Sequence, residues 1–227
     1  MLANFLIPIH REGWRFIAIF AGVTLVLAWT PLFWPLFIAT GWCVYFFRDP
    51  PRLTPARAGL FVAPADGLVL KVEEAVPPRE LGLGEQPMMR ISTFLSVFDV
   101  HINRIPVDAI VDVVAYHPGR FLSASDDKAG DENERQAVSL TLPDGRKAVV
   151  VQIAGLVARR IVCHLRPGQT VRAGERYGLI RFGSRTDLYL PSGVVPLVSS
   201  GQRMIGGETV MADDRAADSA PRHAAEL

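Results

Sequence analysis

From Phe16 to Phe47 the chain carries no charged residue, and Arg15 and Arg48 bracket the run. Pro31 and Pro35 fall near its middle. Proline lacks the N–H that continues a helix and disfavours helical backbone in the residue before it. The pattern therefore predicts two apolar helices, about Trp14–Trp29 and about Leu36–Phe47. Each is shorter than the roughly 20 apolar residues that span a bilayer. The run is too long for the core of a secretory signal, and no small-residue cleavage site follows it. Arginines lie outside both ends (Arg11 and Arg15 before, Arg48, Arg52 and Arg57 after), which places both ends on the cytoplasmic side. The expectation is a hairpin dipping into one leaflet of the cell membrane, with Trp29, Trp34 and Trp42 at its interface.

Beyond a Pro- and Arg-rich linker, 48–59, the pattern changes to short β-branched runs broken by Gly and Pro. Gly67–Val72, Arg90–Leu95, Ile110–Ala115, Ala137–Leu142, Lys147–Ile153, Ile161–Leu165, Tyr177–Arg181 and Thr186–Leu190 read as strands. Pro143-Asp144-Gly145 reads as a hairpin turn between two of them. The predicted fold is mainly β (α+β), a sandwiched or barrel-like sheet domain behind an N-terminal helical hairpin. Its parts are the hairpin 1–47, the linker 48–59, a β-rich domain 60–205 and a polar, Ala-rich tail 206–227 expected to be disordered.

Composition narrows the function. The net charge of +1 implies no nucleic-acid partner. The two cysteines, Cys43 and Cys163, make neither a disulfide framework nor a zinc spacing. Cys163 and His164 fall on opposite faces of one strand, and Asp126, Asp127, Asp131 and Glu132 read as a solvated loop, so no metal is expected. The stretch Arg166–Glu175 has the paired-glycine rhythm of lipoyl and biotinyl carrier barrels. A carrier holds its cofactor on a lysine, and no lysine follows Lys147. The other two lysines are Lys71 and Lys128, none in a phosphate-binding setting, which argues against pyridoxal phosphate.

Three segments carry chemistry: Ala63-Pro64-Ala65-Asp66-Gly67, Phe98-Asp99-Val100-His101-Ile102-Asn103-Arg104-Ile105-Pro106, and Phe182-Gly183-Ser184-Arg185. Alone, each has an ordinary reading as a turn, a structural histidine or a common dipeptide. In this order, behind an apolar hairpin, and with Tyr116-His117-Pro118-Gly119 and Asn133-Glu134-Arg135 between them, they resemble the phosphatidylserine decarboxylase family in its short bacterial and archaeal form. The resemblance runs from the apolar start to Pro191. Arg185 stands where the long form has threonine, and Arg104 where it has a second histidine.

The resemblance implies a self-cleaving proenzyme. Ser184 Oγ attacks the carbonyl of Gly183, with His101 as base and Asp66 orienting and stabilising it. A glycine before the serine leaves the carbonyl open and tolerates a strained backbone. Elimination and loss of ammonia then convert Ser184 into a pyruvoyl group. The products are a large chain, 1–183, and a small chain, 184–227, held as a heterodimer that could assemble further. The pyruvoyl carbonyl would act on phosphatidylserine in the membrane through a Schiff base and leave phosphatidylethanolamine and carbon dioxide. Arg104, His117 and Arg185 are candidates for the substrate's phosphate or carboxylate. Two other readings stay open on the residues alone: a membrane-anchored serine hydrolase, and a non-catalytic membrane adaptor built on a sandwiched β-barrel.

Overall fold

The computed structural model describes residues 7–126, 128–156, 160–181 and 183–216. Contacts divide the chain into an apolar unit, which runs to Pro51 and includes Phe98–Val100, and a β unit made of Arg52–Val97 and the chain from His101 on.

In the apolar unit, α1 (Trp14–Val26) and α2 (Phe33–Phe46) form an antiparallel pair. Helix α2 starts three residues before the expected Leu36. Pro35 lies in its first turn, where a missing N–H leaves no intrahelical bond unmade. The Thr24 and Thr40 hydroxyls lie 3.0 Å apart between the helices, and one can donate to the other while the second donates to the carbonyl four residues back. The base of the pair is closed by His10 N–H to Phe47 O at 2.8 Å and by stacking of Phe16 on Phe47. Helices of 13 and 14 residues are about 20 Å long. No described helix is long and apolar enough to cross a membrane.

The described residues of the β unit form three sheets, antiparallel throughout. The largest takes its strands from β2 (Gly67–Ala75), β3 (Met88–Leu95), β5 (Ala109–His117), β6 (Arg135–Thr141), β7 (Lys147–Ala154), β9 (Thr170–Val171), β11 (Ser184–Leu190) and β13 (Arg203–Met204). Their order is β13-β2-β3-β11-β7-β6-β5-β9, curled into a half-barrel. A second sheet is β4 (Ile102–Arg104), β10 (Arg176–Ile180) and β8 (Ile161–Cys163), with β10 in the middle. The third places β14 (Val210–Asp213) between β1 (Leu60–Val62) and β12 (Val195–Pro196). A short helix, α3 (Ala129–Glu132), precedes β6.

Alternation along the strands divides the large sheet by face. Ile91, Val150, Leu188 and Leu190 look into the main core, shared with Phe61, Ile105, Tyr177 and Met211. Ala137, Val149, Val151, Ile153 and Tyr189 look the other way and are covered by Leu81. The eight strands expected from β-branched runs are all present, with ends shifted by a few residues. Within the stretch expected to be tail from Gly206, Val210–Asp213 is instead a strand. Met211 and Ala212 are fully buried and join the main core from β14. Residues 217–227 lie outside the described part.

Candidate active site

Ser184 opens β11, the strand between β3 and β7, and pairs with Leu95 on one side and Ala154 on the other. It is fully buried, and its Oγ has no hydrogen-bond partner among the described residues. Gly183, just before it, has φ +67, a left-handed conformation that a residue with a Cβ rarely adopts. Its carbonyl oxygen lies against the Cα of Gly155, where any side chain would collide with it. Phe182 lies outside the described residues.

His101 ends the segment that enters β4. Its Nε2 accepts a hydrogen bond from the Gly183 N–H at 3.2 Å, and its carbonyl accepts one from Ile180 N–H. An accepting Nε2 is the unprotonated ring nitrogen. The ring is 2 % exposed, so its lone pair faces the Gly183 backbone out of bulk water.

Asp66 sits in the turn between β1 and β2. Its Oδ2 accepts from Arg52 Nη2 at 2.7 Å and its Oδ1 from Gly206 N–H at 2.8 Å. The turn is tied to the strand that bears His101, because Arg104 N–H donates to Pro64 O at 2.8 Å.

The remaining expected residues stand apart from Ser184. Arg104 is buried, and its Nη1 donates to Gly174 O at 2.9 Å. Arg185 is next to Ser184 in sequence but on the opposite face of the sheet, as strand alternation requires. It forms a bidentate pair with Asp187, both bonds 2.7 Å. Burial alone would lower the Arg185 pKa, but Asp187 outweighs it and the guanidinium titrates above its ordinary value. Arg90 approaches the same carboxylate at 3.9 Å and also pairs with Glu73. His117 ends β5 opposite Arg135, three strands along from β11, or about 14 Å at ~4.8 Å per strand.

Two further features adjoin Ser184. The first is a rung of polar side chains one step along β11, on the same face. Thr186 pairs with Thr93 and with Gln152, and Gln152 Nε2 donates to Asn103 Oδ1 at 2.7 Å. Gln152 was legible as the lone polar residue inside the apolar run Ala148–Ala154, and Asn103 as the residue two beyond His101 in a strand. The second is the segment 120–133. Asn133 Nδ2 donates to Leu122 O at 2.9 Å and to Ala154 O at 2.8 Å, which fixes the segment beside Ser184's strand partner. Ala154, Ile180, Phe121 and Ile161 form a small apolar cluster there. Among the described residues no group of three or more His, Cys, Asp or Glu side chains could hold a metal ion.

The arrangement can hold a serine hydroxyl, a glycine carbonyl and an unprotonated imidazole together in a dry environment. A family model described as phosphatidylserine decarboxylase matches residues 39–212. A phosphatidylserine decarboxylase proenzyme of Cereibacter sphaeroides is 60% identical over 215 residues, covering 94% of this chain and 93% of the relative. Proteins of the same name from Ruegeria pomeroyi and Paramagnetospirillum magneticum are 55% and 58% identical, covering 94% and 91% of this chain and 98% and 87% of their own lengths. The chain belongs to the phosphatidylserine decarboxylase family.

Proposed function

We propose that this chain is a proenzyme that cuts itself between Gly183 and Ser184 and then decarboxylates phosphatidylserine to phosphatidylethanolamine. The observation that carries the reading is the bond from Gly183 N–H to His101 Nε2, beside a buried Ser184 Oγ that no group among the described residues holds. A hydroxyl so placed is available to attack, and the imidazole bonded to the adjoining Gly183 N–H would take its proton on releasing that bond. The left-handed Gly183 presents its carbonyl with no side chain to obstruct it.

A pyruvoyl group at position 184 fits these residues. It would sit at the start of β11, backed by Leu95 and Ala154. Its carbonyl would supply an electron sink for decarboxylation. His101, bonded to Gly183 beside Ser184, would accept the proton of the Ser184 hydroxyl and later hold one near the same atoms. Asp66, on the turn bound to the same strand, supports the charged imidazole and carries Arg52 and Gly206 with it. Arg104 and Arg185 have committed their guanidinium groups to Gly174 and Asp187.

The apolar unit supports a membrane location on the cytoplasmic side. Trp29 is 97% exposed, and Leu25, Val26, Trp34 and Ile38 are also exposed. Helices that are apolar on every side belong in a protein core or in lipid. The flanking arginines match anionic head groups. The test is a denaturing gel and intact mass of purified protein, wild type beside Ser184→Ala. Wild type is expected as two chains ending at 183 and beginning at 184, with decarboxylase activity on phosphatidylserine vesicles. Ser184→Ala is expected as one inactive chain. An uncut wild-type chain with Ser184 intact would overturn the reading.

A further inference from the structure

Thr93, Thr186, Gln152 and Asn103 form one rung of the large sheet and the strand above it, on the face that Ser184 shares. All four are 0% exposed. Gln152 Nε2 has two acceptors, Asn103 Oδ1 and Val162 O, which fixes the orientation of both amides. Four of their atoms have no hydrogen-bond partner among the described residues: Thr93 Oγ1, Thr186 Oγ1, Asn103 Nδ2 and Gln152 Oε1. They comprise two hydroxyls that can give or accept, one donor and one acceptor. Below them Ile91, Leu188 and Val150 begin the apolar core, and above them stands Ser184.

Buried polar atoms are almost always satisfied by protein or by ordered water. A buried water makes two to four hydrogen bonds, and this rung offers that number in matched polarity. We propose that the rung holds the water that completes the conversion of residue 184, an inference that rests on the self-processing reading. Attack by Ser184 Oγ forms a C–O bond to the Gly183 carbon and breaks the Gly183–Ser184 C–N bond, the proton passing to the freed nitrogen. Elimination removes the Cα proton and breaks the Cβ–Oγ bond, so the oxygen departs within the Gly183 carboxylate. Residue 184 is left with a free amine on a C=C bond, which shifts its proton to become a methyl group and C=N. Water adds across C=N and ammonia leaves. One water is consumed, one ammonia is released, and nothing is oxidised or reduced. Cutting needs no water and the last step needs one, so the rung should act only after the chain is cut.

The test uses the full chain with Thr186→Val and Thr93→Val, and Thr186→Ser as the variant that keeps the hydroxyl. Cutting is followed on a denaturing gel. The folded protein is separately reduced with borohydride before it is denatured, and the N-terminus of the small chain is then sequenced. A converted terminus yields a blocked lactyl end, and an unconverted C=N yields alanine. Both valine variants are expected to cut at the wild-type rate yet convert at least about 10-fold more slowly, giving alanine, while Thr186→Ser behaves as wild type. Conversion at the wild-type rate in both, or slowed cutting in either, overturns the inference. A wild-type chain that never cuts overturns the self-processing reading as well; a wild-type chain that cuts beside normally converting variants overturns this inference alone.

Discussion

The Gly183 N–H donates to Nε2 of His101 at 3.2 Å, across 82 positions of sequence. This bond holds the glycine that precedes Ser184 against the ring that can serve as base. It also fixes which ring nitrogen bears the lone pair. His101→Ala removes both the acceptor and the base. Self-cutting is expected to slow by about 10²-fold or more, the usual range for loss of a positioned general base. A gel time course after expression checks this. His101→Gln, which can restore an acceptor to Gly183 but cannot take a proton, should remain slow. A normal rate in the glutamine variant would reduce His101 to a backbone anchor.

Gly155 faces the Gly183 carbonyl so closely that an added Cβ would overlap it, and Ala124 Cβ closes the other side at 3.2 Å. Gly155→Ala should push the scissile carbonyl out of line. Displacement of a reacting atom by about 1 Å can cost ~10²-fold. The expected product is an uncut chain whose thermal melt stays near that of Ser184→Ala, the proper uncut reference.

Arg185 and Asp187 are both buried on the face away from Ser184. Arg185→Leu leaves the Asp187 carboxylate buried with only Arg90 nearby, at 3.9 Å. Breaking one side of such a pair typically costs about 3–5 kcal/mol. Denaturant melts should show that loss, and the double variant Arg185→Leu/Asp187→Leu should recover part of it.

Glu80 pairs with Arg135 through two hydrogen bonds, of 2.7 and 3.2 Å. Burial pushes its pKa up, but the bonds to Arg135 outweigh that and the carboxyl titrates below its ordinary value. A lowered folded-state pKa means stability that is complete above the unfolded value and is lost as pH falls through the folded one. Glu80→Gln should therefore cost about 1–2 kcal/mol at neutral pH. The gap between the two melting curves should close in acid, below the ordinary carboxylate range.

Trp29 and Trp34 are exposed on the apolar pair. Replacing both with glutamate should abolish co-sedimentation with anionic vesicles and leave self-cutting unchanged, because neither residue lies in the β unit. Retained sedimentation would show that the pair is not the lipid-binding element.

Much of this was legible in the chain, for reasons that differ from residue to residue. The helical pair announced itself because an uncharged run of this length has few alternatives. Eight strands followed from β-branched runs between Gly and Pro, the three-residue β8 among them. Short strands were missed: Ile102–Arg104 looked like motif rather than strand, and Val210–Asp213 was masked by polar neighbours. Their existence depends on partners far away in sequence, β10 for the first and β1 with β12 for the second. Ser184, His101 and Asp66 could be named from motifs. The separation of Arg185 from Ser184 could not, although strand alternation predicts it once the strand is known to start at 184. The close approach of Gly155 to Gly183 had no signal, since a glycine shows its purpose only when its neighbours in space are known.

Strand β11 lies between β3 and β7, and β12 to β14 return to β1 and β2. A cut before Ser184 would thus sever a covalent connection while leaving a central strand clasped on both edges. Dilution alone should not separate the two pieces. The loss would instead be one of folding history. The precursor reaches its structure as a single chain, with β11 delivered to its slot by the segment before it. Once cut and then unfolded, the pieces must find each other in solution and thread a strand between two others. Refolding would become concentration-dependent, and the mature enzyme would keep a shape that it could make efficiently only once.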